Sequence, residues 1–122
     1  MLFPQLLQLP MTGSAESGLL AVAERVNLPF AVKRAYWVFG VPNGQVRGQH
    51  THRTLEQLLA ALHGTVHVTV EAPGFARRTF CLHHPSEALY LPPGAWRELR
   101  FEPGAVLLCL ASHEYDEDDY ER

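Results

Sequence analysis

The sequence predicts an all-β fold: one small barrel with little helix. Three observations predict it. Short strand-like runs are separated by turn signals about every ten residues, the spacing of sandwiches and barrels. Thr65 to Glu71 (TVHVTVE) alternates cleanly and sets Val66, Val68 and Val70 on one face. Ala105 to Ala111 (AVLLCLA) is almost wholly apolar, which predicts a central strand covered on both faces.

The remaining elements follow in chain order. Lys33 to Phe39 (KRAYWVF) is aromatic and β-branched and stops at Gly40, and Val41-Pro42-Asn43-Gly44 is a turn. Thr54 to Leu62 holds good helix formers, yet the strand that follows needs a partner nearby, so Gln57 to Leu62 is expected as strand. Ala72-Pro73-Gly74 turns the chain into Ala76 to Leu82, and Ala88 to Leu91 is a short strand stopped by Pro92-Pro93-Gly94. His113 to Arg122 carries six acids and two tyrosines, and is expected as a solvated, partly helical tail. No repeats or low-complexity linkers break the chain.

With 122 residues, 47% of them apolar, the chain suits one domain, 1–122, with a core of its own. The net charge of -3, with basic residues scattered singly or in pairs, excludes the clustered positive charge that nucleic acid requires. Cys81 and Cys109 lie in apolar runs and are expected as buried thiols of a reducing compartment. Met1 to Pro10 is apolar but lacks a basic flank and is broken by Pro4 and Pro10, so neither a leader nor a membrane span is expected. A soluble, cytoplasmic protein is the expectation.

The chemistry concentrates between Gly44 and Gly64 (GQVRGQHTHRTLEQLLAALHG). Residues two apart on a strand face the same way, so His50 and His52 present both imidazoles together. Two histidines facing an apolar interior are costly without a partner or a task. The other histidines differ: His67 is out of phase with its valines and is expected at the surface, and His83-His84-Pro85 reads as loop.

This spacing resembles the first cupin motif, G-x5-H-x-H-x3-4-E-x6-G, with one extra residue before the last glycine. The resemblance implies an RmlC-like jelly-roll. The second cupin motif, P-x-G-x2-H, ends here on Arg97 in place of histidine. His50, His52 and Glu56 could form a two-histidine, one-carboxylate triad, but a permanently charged guanidinium argues against a cation beside it, so no metal and no cofactor is expected.

A wider resemblance covers roughly residues 26–120 in four ordered blocks. They are Leu28-Pro-Phe-Ala-Val-Lys-Arg-Ala-Tyr-Trp-Val-Phe39, Val46-Arg-Gly-Gln-His-Thr-His52, Leu89-Tyr-Leu-Pro-Pro-Gly-Ala-Trp-Arg-Glu-Leu99, and Val106-Leu-Leu-Cys-Leu-Ala-Ser112 with Tyr115-Asp-Glu-Asp-Asp-Tyr120. In these the chain resembles the dTDP-sugar 3,4-ketoisomerases, the WxcM-like cupins of deoxysugar and glycan biosynthesis. The resemblance implies a metal-independent isomerase that moves the carbonyl of a dTDP-linked 4-keto-6-deoxyhexose from C4 to C3 through an enediolate. Such a reaction needs a base near neutrality and donors for the developing oxyanion. His52 is expected as the base at C3 and His50 as the group that relays or returns the proton at C4. Arg47, Tyr36 and, more weakly, Arg34 are expected to hold the sugar or diphosphate. Arg97 is a further candidate, and Trp96 could cap the pocket. Tyr36 and Trp37 face opposite ways, so one of the two is expected in the core.

The resemblance also implies a homodimer with exchanged N-terminal strands, drawn from residues 1–25, and the apolar pairs Leu2-Phe3 and Leu6-Leu7 agree with a covered patch there. One departure bears on function: Glu16 stands where relatives often carry arginine, which puts a substrate contact in doubt. Two other readings remain open, a non-catalytic sugar-nucleotide-binding cupin and a metal-dependent cupin enzyme.

Overall fold

The computed structural model describes residues 3–122; Leu2, and with it the start of the 1–25 region, lies outside the described residues. The strands are β1 (Gln5–Gln8), β2 (Met11–Ser14), β3 (Gly18–Ala21), β4 (Arg34–Val38), β5 (Val46–His52), β6 (Gln57–His63), β7 (Val66–Ala72), β8 (Phe75–Leu82), β9 (Glu87–Leu91), β10 (Trp96–Phe101), β11 (Val106–Ala111) and β12 (Tyr120–Glu121). Two short 3-10 turns, Arg25–Asn27 and Glu117–Asp119, are the only helical residues described.

The strands form two five-stranded antiparallel sheets, ordered β1-β9-β6-β11-β4 and β12-β5-β10-β7-β8, with β2-β3 as a separate hairpin. This is the jelly-roll that the cupin resemblance implies, built from the short alternating strands that the sequence predicts. The main core lies between the sheets. Val66, Val68 and Val70 from β7, with Leu99 and Phe101 from β10, meet Leu59, Leu89, Leu91 and Leu107 of the opposite sheet. A second cluster covers part of the other face of the first sheet, where Leu9, Leu28 and Phe30 pack on Leu58, Ala60, Ala88 and Tyr90. That double cover explains why β6 and β9 are apolar at successive positions.

Four expectations need correction. β11 is an interior strand, but only Leu107, Cys109 and Ala111 are fully buried; Val106, Leu108 and Leu110 are half-buried, since the second cluster reaches only part of that face. Cys81 is exposed because β8 is an edge strand whose alternate residues Phe80 and Leu82 take the inner face, while Cys109 is buried. The acidic tail is exposed along most of its length and makes one 3-10 turn, as expected, but it is anchored: it buries Asp119 and pairs along β5 through Tyr120↔His52 and Glu121↔Thr51. Trp37 is 60% exposed and Tyr36 only half-buried, so neither of that pair is simply a core residue. No helix among the described residues is long and apolar enough to cross a membrane.

Candidate active site

A cleft of about 440 Å³ opens between the sheets at the end where β4, β5 and the tail meet. Its floor is apolar (Leu59, Leu99, Phe101, Leu107), and its wall carries Arg34, Tyr36, Arg47, His50, Gln57 and Arg97, with Tyr115 and Tyr120 from the tail.

A β-bulge decides which β5 residues face this cleft. β10 pairs with β5 through Arg97↔His50, then Glu98↔Gly48 and Leu99↔Arg47, so Gln49 is an extra residue. Gly48 and Gln49 both adopt left-handed backbone, with φ of 83° and 61°. Strict alternation would put Arg47 and His50 on opposite faces. The extra residue brings Arg47 onto the inner face with His50 and His52. Gly48 is required on two counts: its φ, and space, since a Cβ there would lie 2.8 Å from Leu99 Cδ1 and 3.0 Å from the Arg97 carbonyl oxygen.

The two imidazoles touch. His50 Nε2 lies 3.1 Å from His52 Nε2, one donating and the other accepting, with the rings nearly perpendicular. The Tyr120 ring stands against both, its centroid 4.8 Å from that of His50 and 4.4 Å from that of His52. His50 is the member at the cleft wall. His52 is only 3% exposed and lies behind His50 and Tyr120. Burial, with the nearby charge of Arg97 and the His50 ring, lowers the His52 pKa to about 3, and burial also lowers that of His50. Both are therefore neutral at physiological pH, the form in which an imidazole can accept a proton.

Opposite them, Arg97 is 2% exposed. Its guanidinium donates to the Ala95 carbonyl through Nε (3.1 Å) and Nη2 (3.0 Å) and to Gln57 Oε1 through Nη1. Gln57 Nε2 donates in turn to the Tyr36 hydroxyl at 2.7 Å. Among the described residues no carboxylate pairs with Arg97, so a buried cation faces the cleft with neutral partners only. Burial lowers its pKa to about 10, which still leaves it charged, and burial raises the Tyr36 phenol, which stays protonated. The Arg34 guanidinium lies over the rings of Tyr36 and Tyr115, 4.3 and 5.5 Å from their centroids.

The cleft thus brings together His50, Arg47, Tyr36, Arg34 and Arg97, with His52 behind. Trp96 is not among its lining: neighbours on a strand alternate, so with Arg97 inward Trp96 faces out, 5.7 Å below the Arg77 guanidinium. The expectation that it caps the pocket is corrected by that phase. Glu56 does not join the histidines either; its carboxylate accepts from the Tyr90 hydroxyl at 2.6 Å. Among the described residues no three of His, Cys, Asp and Glu gather as a metal site. Glu16 sits at the turn of the β2-β3 hairpin and does not line the cleft of its own chain.

Three contributors escaped the sequence reading: Gln57, Tyr115 and Tyr120. For Gln57 a signal existed, a lone amide opening an otherwise apolar strand. Tail residues offered none beyond aromatic rings in an acidic run. Asp119 lies nearby as well. Its Oδ1 accepts from Thr54 N (2.9 Å) and Thr54 Oγ1 (2.7 Å), and its Oδ2 accepts from Leu55 N (3.1 Å).

Fold and site together define a cupin-type jelly-roll whose cleft carries an imidazole pair and a buried guanidinium. Comparison with known proteins narrows the class. The family described as FdtA: WxcM-like, C-terminal, matches residues 4–122. A TDP-4-oxo-6-deoxy-alpha-D-glucose-3,4-oxoisomerase from Aneurinibacillus thermoaerophilus is 37% identical over 109 residues, 88% of this chain and 78% of that protein. QdtA, a sugar 3,4-ketoisomerase from Thermoanaerobacterium thermosaccharolyticum solved in complex with TDP, superposes with a TM-score of 0.90 at 35% identity, covering 98% of this chain and 87% of that one. A histidine-to-asparagine mutant of QdtA, solved with TDP-4-keto-6-deoxyglucose, superposes at 0.91 with 33% identity, over 100% and 88% of the two chains. The chain belongs to the WxcM-like family.

Proposed function

We propose that this protein is a 3,4-ketoisomerase of a TDP-linked 4-keto-6-deoxyhexose, working by proton transfer through His52 and His50. One observation carries the mechanism: two neutral imidazoles in contact, one at the wall of the cleft and one behind it, beside a buried guanidinium that lacks a carboxylate partner among the described residues.

The C4 carbonyl acidifies the hydrogen on C3. The imidazole pair takes that proton, and the C3–H electrons form the C3=C4 bond of an enediolate with charge on the C4 oxygen. The imidazole pair then returns a proton to C4 while the C3 hydroxyl proton passes to the C4 oxygen, leaving a ketone at C3 and a hydroxyl at C4. His52 is the base that takes the proton, and His50, between it and the cleft, passes it; the pKa of about 3 keeps His52 neutral in the sugar-free cleft, and the negative charge of the enediolate raises it while the proton is held. Arg97 supports this reading as the oxyanion partner, because a buried cation with neutral neighbours gains most when negative charge develops beside it. Arg47 and Arg34 suit the diphosphate, and the Tyr36 phenol suits a sugar oxygen. No step in this scheme calls for a metal or a redox cofactor.

A homodimer belongs to the same reading. Every residue of the β2-β3 hairpin is exposed, including Leu19 (66%) and Leu20 (61%), and the hairpin pairs with no other strand among the described residues. A second copy would cover it. In the single chain β1 pairs with its own β9, so strand exchange would replace that pairing with the same one from the partner. Light scattering at micromolar concentration reads the state, and a monomeric mass overturns the dimer.

The decisive experiment is proton NMR of TDP-4-keto-6-deoxyglucose with chelator-treated protein in D2O. The expected result is a 3-keto sugar carrying deuterium at C4. An unchanged sugar spectrum from folded protein that binds TDP overturns turnover in favour of a binding role. Activity that returns only on adding divalent metal overturns metal independence.

A further inference from the structure

Among the described residues the His52 ring has one nitrogen with no hydrogen-bond partner, Nδ1, and it is buried. A buried polar atom without a partner is rare enough to require an explanation. The groups facing His52 are His50 on its own strand, Arg97 on β10, and Tyr120, Asp119 and His113 from the tail. Of these only Asp119 brings an acceptor to Nδ1, its Oδ2 at 3.7 Å.

We propose that Asp119 is a positioning residue of the imidazole pair: its carboxylate holds the His52 proton on Nδ1, so that the Nε2 lone pair faces His50 and the cleft. This inference rests on the isomerase reading given above. In a contact between two neutral Nε2 atoms one must donate and the other accept; the Gly48 carbonyl, which accepts from the His50 ring, favours His52 as the donor, and the ionised Asp119 carboxylate favours His52 as the acceptor. A proton on His52 Nδ1 makes His52 Nε2 the acceptor and His50 the donor. The base then points its lone pair toward the group that delivers the proton. When the pair becomes cationic, the carboxylate lies beside the charge it must balance.

The carboxylate is built to stay in place. Three donors from Thr54 and Leu55 hold it, its residue is 4% exposed, and the Asp119 carbonyl accepts from Arg53 N at 2.9 Å. Burial alone would raise its pKa, but the hydrogen bonds from Thr54 and Leu55 keep it lowered and hence ionised. Leu55 N already donates to Oδ2, and the other imidazole beside that oxygen is His113, with Nε2 at 3.4 Å. His113 Nδ1 donates to the Glu114 carbonyl at 2.8 Å, so a neutral His113 presents a lone pair at Nε2 and leaves Oδ2 to His52.

Imidazole nitrogen NMR on the full chain, labelled at histidine and free of sugar, reads the tautomer directly. The expected result is a protonated Nδ1 and an unprotonated Nε2 on His52. Asp119→Asn should move the proton to Nε2 and lower kcat by about 10²- to 10⁴-fold, the scale seen when a histidine base loses the carboxylate that fixes its tautomer, with KM changed less than about threefold. Asp119→Glu, which keeps the carboxylate, should restore the tautomer and part of kcat. An Nε2-protonated His52 in the native chain overturns the proposal, and that measurement stands even where Asp119→Asn fails to fold. A tautomer unchanged by Asp119→Asn overturns it too. A chain with the expected tautomer but no turnover overturns the isomerase reading and not the tautomer assignment.

Discussion

β5 and β7 are the two partners of β10, and they are built to opposite plans. β7 alternates without interruption along its pairing with β10, with Val66, Val68 and Val70 fully buried and the residues between them half-buried. β5 slips by one residue at Gln49, is largely exposed up to that point, and buries only His52 fully. One strand is devoted to the core. The other gives up regular pairing and apolar burial to turn Arg47, His50 and His52 onto one face. Stability and chemistry are thus carried on opposite sides of the same strand, and substitutions on the two sides should separate them.

The largest expected effect is His52→Asn. Losing the base should lower kcat by about 10²- to 10⁴-fold with TDP affinity retained, as isomerisation assays and calorimetry would read. On the other flank, Val68→Ala removes two buried methyl-sized groups and should cost about 2–3 kcal/mol in urea unfolding, with kcat within about twofold. Gly48→Ala breaks the comparison by placing a side chain where φ is 83° and Leu99 is in the way; about 1–3 kcal/mol of stability and about tenfold in kcat/KM should go together. pH sharpens it. His52 is held neutral in the fold down to about 3, whereas the unfolded chain protonates it near 6.5, so the unfolded state binds more protons between those values. Stability is full above pH 6.5 and declines as the pH falls from there toward 3, and urea midpoints should show a shallower decline in His52→Asn. Trp96→Ala should matter least for catalysis, within about twofold in kcat/KM, since its ring is on the outer face of β10.

The regular half of the molecule was legible because its signals are periodic. The phase of Val66, Val68 and Val70, the Pro-Gly turns and the apolar run around Leu107 each follow from side-chain alternation alone. The histidine pair was legible because H-x-H preserves that same phase. What escaped depends on broken phase or on contacts distant in sequence. The bulge hides in Gly48-Gln49, where an Arg-Gly pair reads equally well as a turn. Arg47 was singled out by resemblance, although simple alternation would have turned it away from His50. Trp96 was the reverse case: once Arg97 is inward its neighbour must be outward, and that inference was available from adjacency. Cys81 failed because an apolar run does not say whether its strand lies at an edge. Asp119 and Tyr120 reach β5 across a separation of more than sixty residues, which no local pattern encodes.

The pairing of Tyr120 and Glu121 with β5 has a consequence for association between chains. Without those two residues the Thr51–His52 end of β5 would be an open edge, offering unpaired N–H and C=O groups beside the base, the kind of edge to which other strands add. The tail therefore acts as a selvedge as well as a wall of the cleft. A chain cut back before Asp116 would lose Asp119 and Tyr120 and at the same time expose an adhesive margin. Its aggregation, followed by turbidity on storage, would then mimic a catalytic defect, and the two losses have to be counted apart.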